Sequence, residues 1–271
     1  MTVHRLGDGQ QVTVGADAWN GDSLRFTGTT NGALPAVTFA GDNMLKNVRI
    51  AGTESTPYDG AINQAVGAEV TIDHLALNHG TLFISQRPTA RTAFEDDSSI
   101  RHGSTLTATG YSGQGQYVVN GTMTIDGTST VNMDYVAVSG TGTFHLTGPQ
   151  ALLRAGSVSA DETVQLDSGK LSLVNGMSFL GTITDSQPCD GPIGADAQIA
   201  VYNATRADHG TFNAGSGLLD LYDSSGAEVV ALRFAPGGGD LYAAPTTGQA
   251  TNYLQIASHP LDGSIPIDRI A

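Results

Sequence analysis

The chain has 271 residues, room for one large domain or two modest ones. Its 26 acidic and 12 basic residues give a formal net charge of −14, which repels a phosphate backbone and argues against nucleic acid or an anionic membrane surface as a partner. No stretch stays apolar over the length of a membrane span, and the single cysteine, Cys189, excludes an intrachain disulfide and a multi-cysteine zinc site.

Gly contributes 35 residues and Thr 30, roughly a quarter of the chain together. Thr favours strands and Gly favours turns, so the composition is all-β. Scarcity of Cys and of Lys, of which there are only Lys46 and Lys170, is common among bacterial exported proteins. The opening residues, Met1-Thr-Val-His-Arg-Leu-Gly-Asp8, hold no apolar signal core. Export then implies a trimmed leader or another route, and a chain that never leaves the cell is the other reading.

Taken in chain order, Val12-Thr-Val14, Leu24-Arg-Phe26, Val37-Thr-Phe39 and Val48-Arg-Ile50 alternate apolar, polar, apolar, the pattern of half-buried strands. Residues 60–68 are the only faintly helical stretch. Val70-Thr-Ile72, Leu75-Ala-Leu77 and Leu82-Phe-Ile84 form a trio of strand signals. Two insertions, 86–97 and 110–116, then interrupt the rhythm, and Leu106 lies 19 residues before Ile125.

The middle of the chain carries an internal repeat. Met123-Thr-Ile125 recurs as Phe144-His-Leu146 about 21 residues on, as Val164-Gln-Leu166 20 further, and more weakly at Ile183. A second series, in phase with the first, runs through Val131-Asn-Met133, Leu152-Leu153 and Leu171-Ser-Leu173. A third passes through Val136-Ala-Val138, Val158 and Met177-Ser-Phe179. Gly or Asn-Gly separates the signals, as at Asn120-Gly121, Gly140 and Gly156, and supplies the positive φ that corners need.

Three short strands per period of about 20 residues, at about 3.3 Å per residue, close into a triangular coil that stacks on its neighbours. The expected fold is therefore all-β, a right-handed parallel β-solenoid over residues 1–188, right-handed being the rule for parallel crossovers. A jelly roll or sandwich, the competing all-β fold, calls for hairpins rather than in-phase triplets.

From Asp185 to Gly194 the chain is rich in breakers. Beyond it, Leu218-Leu-Asp-Leu-Tyr222 and Val229-Val-Ala-Leu-Arg-Phe234 flank Asp223-Ser-Ser-Gly226, a hairpin signal. Leu241-Tyr-Ala243 and Tyr253-Leu-Gln-Ile256 add strand candidates. Residues 189–271 thus read as a small β-rich C-terminal cap over the open end of the coil, or as a small β-domain with a separate task.

Three phrases within residues 65–185 carry a family resemblance: Asn120-Gly-Thr-Met-Thr-Ile-Asp-Gly, Ser139-Gly-Thr-Gly-Thr-Phe-His-Leu and Leu166-Asp-Ser-Gly-Lys-Leu-Ser-Leu. They resemble the β-helical passenger repeats of bacterial autotransporter-type surface proteins and large adhesins. The strand-turn-strand piece at residues 218–234 looks like segments near the ends of such repeats. The resemblance implies a secreted protein, extracellular or at the bacterial cell surface, and carries over no catalytic residue. The family's C-terminal membrane barrel has no counterpart in this sequence, which reads as a fragment of a longer protein or as a free one.

Candidate chemistry is sparse. Glu95-Asp96-Asp97, near Arg101 and His102, pairs carboxylates that suit Ca²⁺ or acid/base work on a sugar. The plainer reading is a solvated acidic loop. Asp126, Asp134, Asp161 and Asp167 are scattered through corners. His79 and His102 are spaced to stack as a metal pair, beside Asp73-His74, but no third ligand is identified. Calcium-binding nonapeptides, a phosphate loop and a Gly-x-Ser-x-Gly elbow are all missing.

Trp19, Tyr58, Tyr111 and Tyr117 fall in turn-rich or inserted segments, where an exposed ring stacks on a sugar. Tyr111 and Tyr117, bracketing Gly113-Gln-Gly115, are the preferred pair. Thr105-Leu-Thr107 and Thr122-Met-Thr124 place hydroxyls two apart, but such pairs do not continue through Phe144 or Val164.

The expectation is a non-enzymatic adhesin-type solenoid module that presents a glycan- or partner-binding face. Its ligand candidates are Tyr111, Tyr117, Glu95, Asp96, Asp97 and Trp19, its partner a polysaccharide or surface glycan. No catalytic residue, metal ligand or cofactor is assigned. The alternatives are a polysaccharide lyase or glycoside hydrolase, with 86–102 and 110–117 walling a groove, and a phage-tail or surface-assembly module forming an oligomer along the solenoid.

Overall fold

Alternation with period two sends one set of side chains to each side of a strand, and in this chain the inward set is mostly apolar. The computed structural model describes residues 1–110, 116–186, 192–236, 239–246 and 252–270. In it the strands coil into a parallel β-solenoid of about eight turns with three flat faces.

The first face stacks β1 (Val3–Leu6), β3 (Asp22–Phe26), the second halves of β6 (Asn43–Ala51) and β8 (Glu69–Asn78), and then β11 (Ser98–Arg101). It continues through β14 (Thr122–Ile125), β16 (Thr143–Leu146), β18 (Thr163–Leu166) and β20 (Thr182–Thr184). The step from one turn to the next is 20 residues at Val3↔Ser23, 27 at Val48↔Leu75 and 19 at Val164↔Ile183, yet the register stays parallel. Leu6, Phe26, Ile50, Leu77, Ile100, Ile125, Leu146 and Leu166 form one inward column, none more than 2% exposed. Burial of each side chain contributes about 1.5–3 kcal/mol, so this column is a principal source of the fold's stability.

The second face holds β2 (Gln11–Val14), β5 (Ala36–Phe39), β7 (Tyr58–Gln64), β9 (Gly80–Gln86) and β12 (Thr105–Gly110). The first halves of β15 (Thr130–Gly140) and β17 (Leu152–Val158) follow, then β19 (Ser168–Leu173) and β21 (Asp196–Tyr202). The third face is built by the first halves of β6 and β8, by β10 (Arg91–Phe94) and β13 (Gln116–Val119), and by the ends of β15 and β17. The three repeat series of the sequence are these three faces. A two-residue strand, β4 (Gly28–Thr29), pairs antiparallel with β7 at a corner.

Three sequence expectations change. Residues 60–68 lie largely in β7, a strand held between β5 and β9 with Ile62 fully buried, and form no helix. Residues 86–97 do not interrupt the coil, because β10 lies within them at Arg91–Phe94 and pairs with β8 and β13. Its alternation is masked by an inward polar residue. Thr92, fully buried, donates to Gln64 Oε1 at 3.0 Å and accepts from Gln86 Nε2 at 2.8 Å. Leu106 belongs to the second face, between Leu82 and Val131, and not below Ile125.

Corners close where the backbone turns left-handed, at His79 (φ 49°), His102 (φ 53°) and Gly127 (φ 64°). Gly140 is among the tight ones: φ is 128° and a Cβ there would sit 2.1 Å from the Val119 carbonyl oxygen. A 3₁₀ turn, Gly176–Ser178, is capped by the Asn175 side chain, which accepts from the Met177 amide at 3.0 Å.

The coil series runs on into β21, past residue 188, and then changes direction. β26 (Tyr253–Ala257) lies antiparallel on β21 and carries β25 (Tyr242–Thr246). β22 (Ala207–Asn213), β23 (Leu218–Asp223) and β24 (Glu228–Phe234) form the antiparallel meander read from the hairpin signal. β27 (Ile267–Ile270) adds to β22. Antiparallel strands end the stack, and Phe212 and Phe234 fill the cap edge-to-face at 6.0 Å. Among the described residues no helix is long and apolar enough to cross a membrane.

Candidate binding face

Inward residues hold the coil together, so any surface chemistry belongs to the outward residue in the middle of each triplet. On the first face these outward residues stack as Arg5, Arg25, Arg49, Ala76, Ser99, Thr124, His145, Gln165 and Thr184. Adjacent rungs of a sheet are about 4.8 Å apart. The first three rungs therefore make a ladder of guanidinium groups in a chain that is acidic overall.

A groove of ≈ 660 Å³ runs over this end of the face, lined by Arg5, Arg25, Arg49, His74, Arg101 and His102 among others. Ion pairs form elsewhere, by Lys46, Arg91, Arg154, Arg206 and Arg269. Among the described residues none of the three ladder arginines has an acidic partner, and the buried Arg25 Nε has no hydrogen-bond acceptor. The nearest carboxylates stand at the rims. Asp22 accepts from the Thr2 amide at 2.5 Å and lies 3.0 Å from His4 Nε2, contacts that hold it below the usual carboxylate range. Asp96 lies 3.9 Å from His74 Nε2.

Further along the same face the outward residues are neutral or paired. Thr122, Thr143, Thr163 and Thr182 form a single hydroxyl column that does pass through the strands of Phe144 and Val164. The second hydroxyl of each pair is lost after Thr124, where His145 and Gln165 take its place. His145 Nε2 sits 2.8 Å from Asp167 Oδ2. Burial raises the Asp167 carboxyl, but His145, the Ser186 amide and Gln165 together bring it below its ordinary value. The cluster is closed on itself.

A second groove of ≈ 900 Å³ crosses the second face over Thr38, Asn63, Ser85 and Thr109, stacked in register, with Arg87 at its edge. Its lining mixes polar side chains with Ala65, Val66 and Pro88 and carries no charge ladder.

The residues singled out from sequence fare differently. Tyr111 lies outside the described residues, as does Cys189. Tyr117 is fully buried, which removes it as a sugar-stacking ring. Its hydroxyl is 3.1 Å from the carbonyl oxygens of Ile84 and Thr109, and burial pushes the phenol well above its usual value. The two carbonyls give the ring a polar anchor, so it fills the core. Trp19 is half-buried, stacked on His4 at 3.9 Å and edge-on to Phe39 at 5.8 Å. It closes the first coil.

Glu95, Asp96 and Asp97 form an exposed corner between β10 and β11. Each has its own partner: Glu95 Oε2 accepts from Asn120 Nδ2 at 2.9 Å, and Asp97 Oδ1 accepts from the Thr122 amide at 3.3 Å. Asp96 faces His74. The three staple successive corners instead of converging on one point. His79 and His102 do stack, with ring centroids 5.1 Å apart. Among the described residues no group of three His, Cys, Asp or Glu side chains is placed to hold a metal.

The arginine ladder is the feature that sequence reading misses. Its signal was present, since Leu24-Arg-Phe26 and Val48-Arg-Ile50 share one triplet position. Reading the triplets for their apolar ends hides what their middles display. A comparison with protein-family profiles finds no match to this chain, and a comparison with curated proteins finds none.

Proposed function

We propose that this chain is a non-enzymatic β-solenoid binding module, extracellular or at the bacterial cell surface, that presents its first face to a glycan. The observation that supports the reading most is the groove across the first turns of that face, where outward side chains are held in strict register by the buried column beneath them. A rigid sheet positions such groups without the ordering cost that a loop-borne site pays on binding. An elongated, open groove suits a linear polymer better than a small molecule.

The test is to pass the purified chain over a panel of immobilised neutral and charged polysaccharides while assaying for new chain ends. Retention without cleavage supports a binding module. New reducing or unsaturated ends would make the chain a hydrolase or lyase, with the carboxylates at 95–97 the first to replace. Neither retention nor cleavage would leave the surface-assembly reading in first place.

A further inference from the structure

We infer that the ligand of the first-face groove is a linear polysaccharide carrying carboxylate groups, laid along the solenoid axis with its carboxylates paired to Arg5, Arg25 and Arg49. The inference rests on the binding-module reading and names the chemistry of its ligand.

Three observations carry it. The sequence holds ten arginines, and three of them occupy consecutive rungs of one column. Like charges stacked at one strand spacing repel and destabilise the sheet unless an anion lies between them. No protein carboxylate among the described residues fills that role, although the chain has 26 acidic residues to draw on. The buried Nε–H of the middle arginine has no acceptor, so no internal hydrogen bond commits that guanidinium to a protein partner.

The chemistry selects the ligand class. A guanidinium fork grips a carboxylate through two parallel hydrogen bonds. The three guanidinium groups, about one strand spacing apart along the axis and carried on long flexible stems, present a line of positive charge that an extended polyanion can follow. Asn47 and Ser99, outward on the neighbouring positions of the groove, supply donors and acceptors for sugar hydroxyls. Ala76, the rung after Arg49, leaves a low floor, and Arg101 closes the far end. A net charge of −14 repels the denser charge of nucleic acid at long range, while a sparser polyanion reaches the local positive strip.

The probe is polygalacturonate, measured by affinity electrophoresis and calorimetry beside its fully methyl-esterified form and single-stranded DNA. The expected result is binding to polygalacturonate that weakens with salt. Roughly tenfold loss is expected in Arg25→Gln, and a larger loss in Arg5→Gln/Arg49→Gln, whose two positions are exposed and leave the core untouched. Arg269→Gln, remote in β27 and paired with Asp240, removes the same charge and leaves binding unchanged.

Equal binding of the esterified polymer, or binding indifferent to the ladder variants, would overturn the carboxylate assignment while the module reading survives. DNA bound as tightly as polygalacturonate would overturn it in favour of general anion binding. If no polysaccharide in any form is retained, this inference and the module reading fall together. Thermal melting of each variant separates a lost contact from a lost fold.

Discussion

Glu162 is the residue whose surroundings least suit its charge. It is fully buried at a corner, and neither carboxyl oxygen has a well-formed hydrogen bond. Burial pushes its pKa up to about 7, with the Val119 backbone offsetting part of the effect and Asp161 adding to it. A folded pKa above the ordinary 4.5 means the native state holds the proton more tightly than the unfolded chain. That contribution to stability is complete below about 4.5 and is lost as pH rises through about 7. Glu162→Gln is therefore expected to raise the unfolding free energy at pH 8 by up to about 3 kcal/mol and to change little at pH 4. Denaturant titrations of both proteins at the two pH values check this; equal effects at both would show that burial leaves the carboxyl unperturbed. Tyr117 gives a second expectation. Tyr117→Phe removes the one O–H shared between the Ile84 and Thr109 carbonyls and should cost about 1–2 kcal/mol in the same assay, with polysaccharide retention unaltered.

Single elements fold by the same rules, and two of them show where the rules are easy to see. Gly140 has both a positive φ and the Val119 carbonyl where a Cβ would stand, so Gly140→Ala is expected to lower stability on the order of 3 kcal/mol. A melting curve matching the parent would mean the β15 corner yields more easily than its geometry implies. The strands around it were legible because Met123, Phe144 and Val164 repeat an apolar position at a nearly constant step. The cap hairpin was legible because Asp223-Ser-Ser-Gly226 punctuates it. β10 was hidden by an inward Thr92, since a buried polar residue erases the alternation unless its partners, Gln64 and Gln86, are known to be neighbours. Those glutamines are 22 residues apart in sequence and one rung apart in space. Thr92→Val keeps the shape and strips the hydroxyl that both glutamines use. It should destabilise by about 1–3 kcal/mol, a cost that Gln64→Leu in the same chain partly relieves. The binding face was hidden for a related reason: an aromatic in a turn attracts attention, whereas an arginine inside a strand reads as spacing.

At the scale of the molecule, each turn touches mainly the turns above and below, so stability accumulates along one dimension. The first turn has a neighbour on one side only and leaves the inward Val12 partly exposed, while β21 is covered by β26. Hydrogen exchange should accordingly be fastest in β1 and β2 and slowest in β14 to β18, and uniform protection would indicate a single all-or-none unit. The varying number of residues per turn, from 18 to 28, has a consequence of another kind. The height of every turn is fixed by backbone hydrogen bonds, whatever length of chain its corners absorb. The solenoid is thus a ruler whose graduations survive insertion and deletion. Evolution can lengthen, shorten or decorate its corners freely, and the pitch at which it meets a polymer stays the same.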